Sequence, residues 1–184
     1  MYLKIWDVGG QHALRGLWQS YYASCHAIVF VIDSSDVGEV GDLSILASSS
    51  SQGNGSGNGN DSSGASNNPS SSSANADGDG EGNTHAGRLA ECRLVLESVL
   101  ASPSTTGIPI LVLANKQDRE DCVETVRIKE GLVRPVFEGE KGGNVRDSRV
   151  LPVSALTGTG VGEAVEWVRS RVKWNREGRA PVMR

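Results

Sequence analysis

Cysteine, aromatic residues and long apolar runs are all scarce in this 184-residue chain. Its three cysteines, Cys25, Cys92 and Cys122, are an odd number without a C-x-x-C pair. Such usage is typical of reduced thiols in a cytosolic protein, and with only three histidines it is a weak metal signal. The longest apolar run, Ala27 to Ile32, is far shorter than the roughly 20 residues of a membrane-spanning helix.

Lys and Arg are missing between Asp36 and Gly87, and aromatic residues, Val, Leu and Ile are missing from residues 48–87. A segment of this composition cannot bury enough apolar surface to offset its ordering entropy, so we expect 48–87 to be a disordered insertion. The predicted domain then consists of residues 1–47 and 88–178. Seven acidic residues lie in the 36–87 stretch, and without them the formal charge of −4 becomes about +3. Neither value indicates a nucleic-acid partner.

Apolar periodicity predicts alternating strands and helices on either side of that tract. Four segments have the pattern of strands, and the last three are apolar enough to be buried: 2–6, 27–33, 108–115 and 149–155. Helical spacing of three and four recurs in four others: 14–22, 89–100, 123–137 (with Pro135 ending or bending it) and 161–172. This order predicts an α/β fold with a parallel sheet and helices on both faces, in which ligands bind at the carboxyl ends of the strands.

The strongest chemical signal is "NKQD", Asn115 to Asp118, where a buried strand ends. The Asp118 carboxylate can accept two hydrogen bonds from N1–H and the exocyclic amine of guanine, a donor pair that adenine lacks on that edge. Asn115 can reach the opposite edge of the base, and the stem of Lys116 can lie against the ring. The alternative is an ordinary polar turn after a strand.

"SAL", Ser154 to Leu156, follows the next predicted strand. Its small residues would let the Ala155 amide approach the guanine O6. Alone the tripeptide means little, but one helix and one strand after NKxD it supports the same base.

"WDVGGQ", Trp6 to Gln11, has the form of a phosphate sensor. Asp7 would meet Mg²⁺ through a water molecule, the Gly10 amide would bind a γ-phosphate, and Gln11 would orient the attacking water. The Gly9–Gly10 pair lets the backbone swing when the phosphate leaves. Without the other two motifs, a glycine turn after a strand would be the better interpretation.

Together, "WDVGGQ", "LWQSYY", "VFVIDSSD", "LVLANKQD" and "SALTGTGVGEAVEWV" resemble the Arf family of small GTPases, and among them the Arf-related proteins of the Golgi. Gly9–Gly10 before Gln11 differs from the Ala-Gly of Ras- and Rab-like chains, and Gln11 differs from the His of the Sar type. The resemblance covers about 140 residues, all but the 48–87 tract. It implies a P-loop NTPase-like fold and a protein that binds GTP and GDP in turn, with Mg²⁺.

The resemblance also implies a set of functional residues. Gln11 would be catalytic and Asp7 would hold Mg²⁺ through water. The GTP-binding residues would be Asp7, Val8, Gly9, Gly10, Gln11, Asn115, Lys116, Gln117, Asp118, Ser154, Ala155 and Leu156. Trp6, Trp18 and Tyr21 would form an aromatic effector surface, although core packing is the simpler alternative. The partners implied are an exchange factor, a GTPase-activating protein and Golgi effectors, for a cytoplasmic protein peripheral to trans-Golgi membranes.

One part of the family pattern is not found in the printed sequence, which contains no G-x-x-x-x-G-K-[ST]. We therefore expect an N-terminally truncated record, with the phosphate loop, the switch-I Thr and the membrane-binding helix upstream of Met1. Membrane association would then depend on that upstream region. A mis-assigned start or missing exons would explain the record. The alternative is a real short form that acts as a nucleotide-free interaction module.

Overall fold

A three-stranded parallel sheet organises the computed structural model, which describes residues 2–36, 88–139 and 147–178. The strands are β1 (Ile28–Asp33), β2 (Ile110–Asn115) and β3 (Ser148–Pro152), with β2 in the centre. Asp33 lies opposite Asn115, and Ala114 lies opposite Pro152. The carboxyl ends of all three strands therefore meet at one edge, which confirms the predicted parallel α/β arrangement.

Helices connect and cover these strands. Before β1 come a 3-10 helix (His12–Leu17) and the short α1 (Gln19–Tyr22). Between β1 and β2 lie α2 (Arg88–Ala101) and a 3-10 turn (Pro103–Thr105). After β2 come α3 (Thr125–Ile128), a π-helical turn (Lys129–Val133) and α4 (Arg134–Glu138), and α5 (Val161–Gly178) follows β3.

Each face of the sheet has its own apolar cluster. On one face, Ile110 and Val112 of β2 pack with α2 and with the helical segment 125–138. On the other face, Leu111 and Leu151 pack against Ala164 and Trp167 of α5. Alternate side chains of β2 thus enter opposite clusters, and four of its six residues are buried while Leu113 and Asn115 are half-buried, so it is the most buried strand of the sheet, as its apolar run predicts.

The predicted strand 2–6 is wrong, since residues 2–10 have no strand structure. Tyr2 and Ile5 are 99% and 83% exposed. A strand needs a hydrogen-bonded neighbour, and among the described residues the sheet consists of β1, β2 and β3 alone. The apolar pattern of this segment is therefore not matched by burial.

Two further strands are less buried than predicted. On β1, Val29 and Val31 are 45% and 57% exposed, because α5 covers the neighbouring Leu111 and Leu113 of β2 rather than this strand. β3 is a sheet edge and only Leu151 is fully buried on it. It also ends at Pro152, before the predicted Ala155.

Pro135 explains the irregular helix between β2 and β3. The predicted helical segment is confirmed, but five residues before Arg134 form a π-helical turn. Proline has no N–H and its ring crowds the carbonyl four residues earlier, so the preceding turn widens instead of continuing as an α-helix. Pro135 occupies the start of α4, where its missing N–H costs least.

The predicted insertion 48–87 lies outside the described residues, but the chain on both sides of it is described. Arg88 Nε lies 3.1 Å from Asp36 Oδ2, and the Arg88 amide donates to Asp36 Oδ1 at 3.5 Å. Asp36 and Arg88, the described residues on either side of 37–87, are thus in direct contact. A long segment can join such points at small entropic cost.

Candidate functional site

The "NKQD" turn begins where β2 ends, at the edge shared by the three strands. Lys116 has a φ of 67°, in the left-handed region that non-glycine residues seldom adopt. The Gln117 amide then donates to the Val153 carbonyl at 3.2 Å, which ties this turn to the end of β3. The turn is therefore held in a strained conformation by its neighbour, as is common at functional sites.

Asp118 and Ser154 are joined directly. Ser154 Oγ donates to Asp118 Oδ1 at 2.5 Å, and Ser154 is buried while Asp118 is exposed. A carboxylate has about four acceptor positions, so the serine occupies one and leaves others for a ligand. The bond orients the carboxylate in advance, which reduces the entropy that a ligand must remove.

A second bond links the same two loops. The Ala155 amide donates to Asn115 Oδ1 at 3.0 Å, across 40 residues of sequence. The amide predicted to bind guanine O6 thus already has a protein acceptor, with which a base oxygen would compete. Leu156, next to it, is 85% exposed and extends beyond the loop.

Lys116 is held by a carboxylate that the sequence analysis did not single out. Its Nζ lies 2.5 Å from Asp33 Oδ2, at the end of the neighbouring β1. Asp33 Oδ1 accepts from the Ser35 amide and hydroxyl at 3.0 and 2.7 Å. Burial raises the pKa of Asp33, but hydrogen bonds from Lys116 and Ser35 and the lysine charge outweigh it, so the pKa is lowered.

Gln117 faces the protein rather than the loop edge. Its Nε2 donates to the Val123 carbonyl at 3.2 Å, and its Oε1 accepts from Thr125 Oγ1 at 3.3 Å. Val123 in turn donates its amide to the Ser34 carbonyl at 2.8 Å. Gln117 therefore fastens the turn to the start of α3, which favours a supporting role over contact with a base.

The loop after β3 closes on itself. The Ser154 amide donates to the Thr159 carbonyl at 3.0 Å, and the Gly158 amide donates to the Ser154 carbonyl at 2.8 Å. Gly160 has a φ of 76°, and a Cβ there would lie 2.2 Å from the Pro152 carbonyl oxygen. Glycine is thus required where this loop returns to α5.

The predicted sensor segment, Asp7 to Gln11, makes its hydrogen bonds with other residues than those of these two loops. Among the described residues, its carbonyl groups bond to the helical segment that follows, and no hydrogen bond joins it to residues 115–118 or 154–156. Asp7, Gly10 and Gln11 are exposed, and Val8 is half-buried. No group of three or more His, Cys, Asp or Glu suited to a metal occurs in the described part of the chain.

Two of the three aromatic residues of the predicted effector surface are in contact. The Trp6 and Tyr21 rings lie 5.8 Å apart at 55°, and Lys4 Nζ lies 4.9 Å from the Trp6 ring centre. Trp18 is half-buried and packs against the larger core cluster, as the simpler alternative expects. An effector role for these three residues stays a prediction.

The donors and acceptors at the sheet edge fit a guanine. They comprise an oriented exposed carboxylate, a half-buried carboxamide and a lysine whose ammonium group pairs with Asp33: Asp118, Asn115 and Lys116. Sequence reasoning placed these residues and missed Asp33, Arg15 and Glu91, which hold other functional residues in place. Asp33 pairs with Lys116 across 83 positions of sequence and Glu91 with Arg15 across 76, whereas Arg15 itself reaches back only five positions to the Gly10 carbonyl. No local motif marks such contacts.

Comparison with known proteins identifies the family of this chain. Residues 1–44 and 82–172 match the model of the ADP-ribosylation factor family. The chain is 37% identical over 180 residues to ADP-ribosylation factor-like protein 3 of Saccharomyces cerevisiae, an alignment covering 98% of this chain and 64% of that protein. It is 32% identical over 166 residues to human ADP-ribosylation factor-related protein 1, covering 90% and 56%. The chain thus spans about three fifths of the length of these relatives.

A solved structure shows the same fold. The Arl6 BBS3 small GTPase from Trypanosoma brucei, determined with the nucleotide analogue GppNp, superposes with a TM-score of 0.56 at 20% identity. The match covers 91% of this chain and 70% of that one. Together with the family match and the sequence identities, it shows that this chain belongs to the ADP-ribosylation factor family of small GTPases.

Proposed function

We propose that the protein is an Arf-like guanine-nucleotide switch that hydrolyses GTP to GDP and phosphate and regulates vesicle traffic at the Golgi. The observation that carries the proposal is the bonded set at the sheet edge, in which Ser154 orients Asp118 and Ala155 binds Asn115. In this proposal Asp118 recognises N1–H and the amine of guanine, and Asn115 reaches the other edge. The Golgi location in this proposal comes from the resemblance of the sequence motifs to the Arf-related proteins.

The phosphate end of the nucleotide would meet the Asp7–Gln11 segment. Asp7 would bind Mg²⁺ through water, the Gly10 amide would bind the γ-phosphate, and Gln11 would orient the attacking water. Mg²⁺ would neutralise charge between the phosphates. Partners would be an exchange factor, a GTPase-activating protein and Golgi effectors that contact the surface of Trp6, Trp18 and Tyr21. In the described part of the chain no helix is long and apolar enough to span a membrane.

We further propose that the 184-residue polypeptide alone binds GTP only weakly. Its sequence has no G-x-x-x-x-G-K-[ST], whose amides and Lys supply charge-assisted hydrogen bonds worth roughly 1.5–3 kcal/mol each. Without three of these bonds, the binding free energy is less favourable by about 4.5–9 kcal/mol, which lowers the affinity by roughly three to six orders of magnitude. Micromolar or tighter Mg²⁺-dependent binding of a fluorescent GTP analogue to residues 1–184 would contradict this proposal.

Base recognition can be tested separately from phosphate binding. In Asp118→Asn, an amide N–H replaces one carboxylate acceptor, so preference should move from guanine to xanthine, whose 2-oxo group accepts that hydrogen. We expect GDP at millimolar concentration to shift the amide NMR signals of residues 115–118 and 154–156 in the wild type. In Asp118→Asn, xanthosine diphosphate should shift them more than GDP does.

Asp121→Asn is the matched control, since Asp121 lies in the same loop and pairs with Arg119 at 2.6 Å. It should keep the guanine preference. If GDP shifts none of these signals in the wild type, the guanine site is refuted for this chain. A nucleotide-free interaction module, the second candidate, would then be favoured by the exposed apolar side chains Tyr2, Ile5 and Leu17.

A further inference from the structure

The two glycine carbonyls of the sensor segment are both bound by side chains from the helices that follow. Trp18 Nε1 donates to the Gly9 carbonyl at 3.1 Å. Arg15 Nε donates to the Gly10 carbonyl at 2.9 Å. These bonds reach back nine and five residues, respectively, and neither belongs to a regular helical pattern.

Each of these bonds fixes the direction of an amide. In a trans peptide the C=O and the following N–H point in opposite directions, and the described chain contains no cis peptide. Trp18, by holding the Gly9 carbonyl, therefore sets where the Gly10 N–H points. Arg15, by holding the Gly10 carbonyl, sets the Gln11 N–H in the same way.

Packing constrains the two glycines unequally. A Cβ built on Gly9 would lie 2.8 Å from Leu14 Cδ1, whereas one on Gly10 would meet no heavy atom within 4 Å. Glycine is also the residue with the widest range of accessible backbone angles. The side-chain hydrogen bonds thus supply a constraint on Gly10 that packing does not.

Arg15 connects this constraint to the core. Its Nη2 pairs with Glu91 in the first turn of α2, while its Nε stays on Gly10. The hydrogen bond and charge of Arg15 lower the pKa of Glu91, which favours the ionised, paired form of the carboxylate. Leu89 and Leu96 anchor α2 in the larger apolar cluster. The sensor peptide is therefore attached through one guanidinium to a buried helix.

We propose that Trp18 and Arg15 are positioning residues for the sensor: Trp18 orients the Gly10 amide, and Arg15, held by Glu91, orients the Gln11 amide. The proposal rests on the function proposed above only for the role of that amide toward phosphate. Since Trp18 also belongs to the aromatic surface, a partner that displaces its indole would release the sensor peptide. Binding at the aromatic surface and the orientation of the Gly10 amide are then coupled through Trp18.

The test measures the orientation directly, without nucleotide. In ¹⁵N-labelled chain 1–184, residual dipolar couplings of the Gly10 and Gln11 N–H bonds would be compared between variants. Trp18→Phe keeps an aromatic ring but loses the donor to the Gly9 carbonyl. The Gly9–Gly10 peptide should then sample more orientations, so the Gly10 coupling should fall by about twofold or more, as expected for one lost hydrogen bond. Glu91→Gln keeps the shape but loses the charge, so the Gln11 coupling should fall.

Glu163→Gln is the matched control. Glu163 forms a comparable exposed ion pair with Arg149, with 2.6 Å between Nη2 and Oε1, and this pair does not involve the sensor segment. It should leave both couplings unchanged. Unchanged Gly10 and Gln11 couplings in well-folded Trp18→Phe and Glu91→Gln would overturn the proposal. Should Trp18→Phe unfold, the exposed Glu91→Gln still decides. Failure of guanine recognition would appear only in the Asp118 experiment, so the two proposals fail separately.

Discussion

Gly160 combines two constraints at one residue. Its φ of 76° is unfavourable for any side chain, and a Cβ would lie 2.2 Å from the Pro152 carbonyl oxygen. Gly158 has a similar φ of 80° but open space around it. We expect Gly160→Ala to lower the free energy of unfolding by about 2 kcal/mol or more. Gly158→Ala should cost only about 1 kcal/mol, the strain alone.

Urea unfolding of both alanine variants would measure that difference. Because the 154–160 loop carries Ser154, Gly160→Ala should also disturb the amide signal of Asp118. Equal losses in the two variants would show that the close contact at Gly160 is relieved by a backbone shift.

Asp33 gives the site a dependence on pH. Its folded-state pKa is lowered, so its ionised form stabilises the fold. That contribution is fully present above the unfolded pKa of about 3.9 and is lost as the pH falls through the lower folded pKa. The stability difference between wild type and Asp33→Asn should therefore stay constant from pH 7 to about 5 and shrink below about pH 4.

Chemical unfolding across this pH range would test the sign. Asp33→Asn retains a side chain that can accept from the Ser35 amide but loses the ion pair with Lys116. A difference that stayed constant down to pH 3 would mean that the carboxylate is not needed in its charged form.

At the scale of the element, β1 and β2 offer a matched pair of valines. Val31 is 57% exposed on β1, whereas its near neighbour Val112 on β2 is fully buried. Val112→Ala removes buried methyl groups and leaves a cavity, so it should cost about 2 kcal/mol. Val31→Ala should cost less than about 1 kcal/mol, as measured by urea unfolding. A loss at Val31 as large as that at Val112 would mean that β1 is covered in solution.

Sequence patterns located elements better than they located burial. The run Ile110 to Asn115 was predictable as a strand because its position at the sheet centre and its apolar residues agree. The same kind of run on β1 predicted two covered faces, but α5 packs over β2 and leaves Val29 and Val31 exposed. An apolar run thus indicates that a segment can be buried. It does not show which helix packs over each face.

The site shows the same division. The NKQD and SAL motifs predicted that Asn115, Asp118 and Ser154 serve one site, and hydrogen bonds join the two loops that carry them, while their role toward a base stays a prediction. Asp33 and Glu91 were not predicted, because they act through ion pairs to Lys116 and Arg15 across 83 and 76 positions. Only the folded chain brings such partners together, so supporting residues escape motif reasoning even where the ligand-facing residues do not.

At the scale of the whole molecule, the sheet is divided in sequence by residues 37–87, yet Asp36 and Arg88 meet in an ion pair at 3.1 Å. Replacing the predicted insertion, residues 48–87, by a Gly/Ser linker of about six residues should therefore leave β1, β2 and their register intact. Loop-closure entropy falls by about 0.6 kcal/mol for each halving of length, so the shortened chain should be more stable by about 1 kcal/mol. Urea unfolding with unchanged amide signals at residues 115–118 would confirm this. A loss of stability would show that residues 48–87 contribute contacts to the fold, and Asp36→Ala in the shortened chain would then reveal whether the ion pair still closes it.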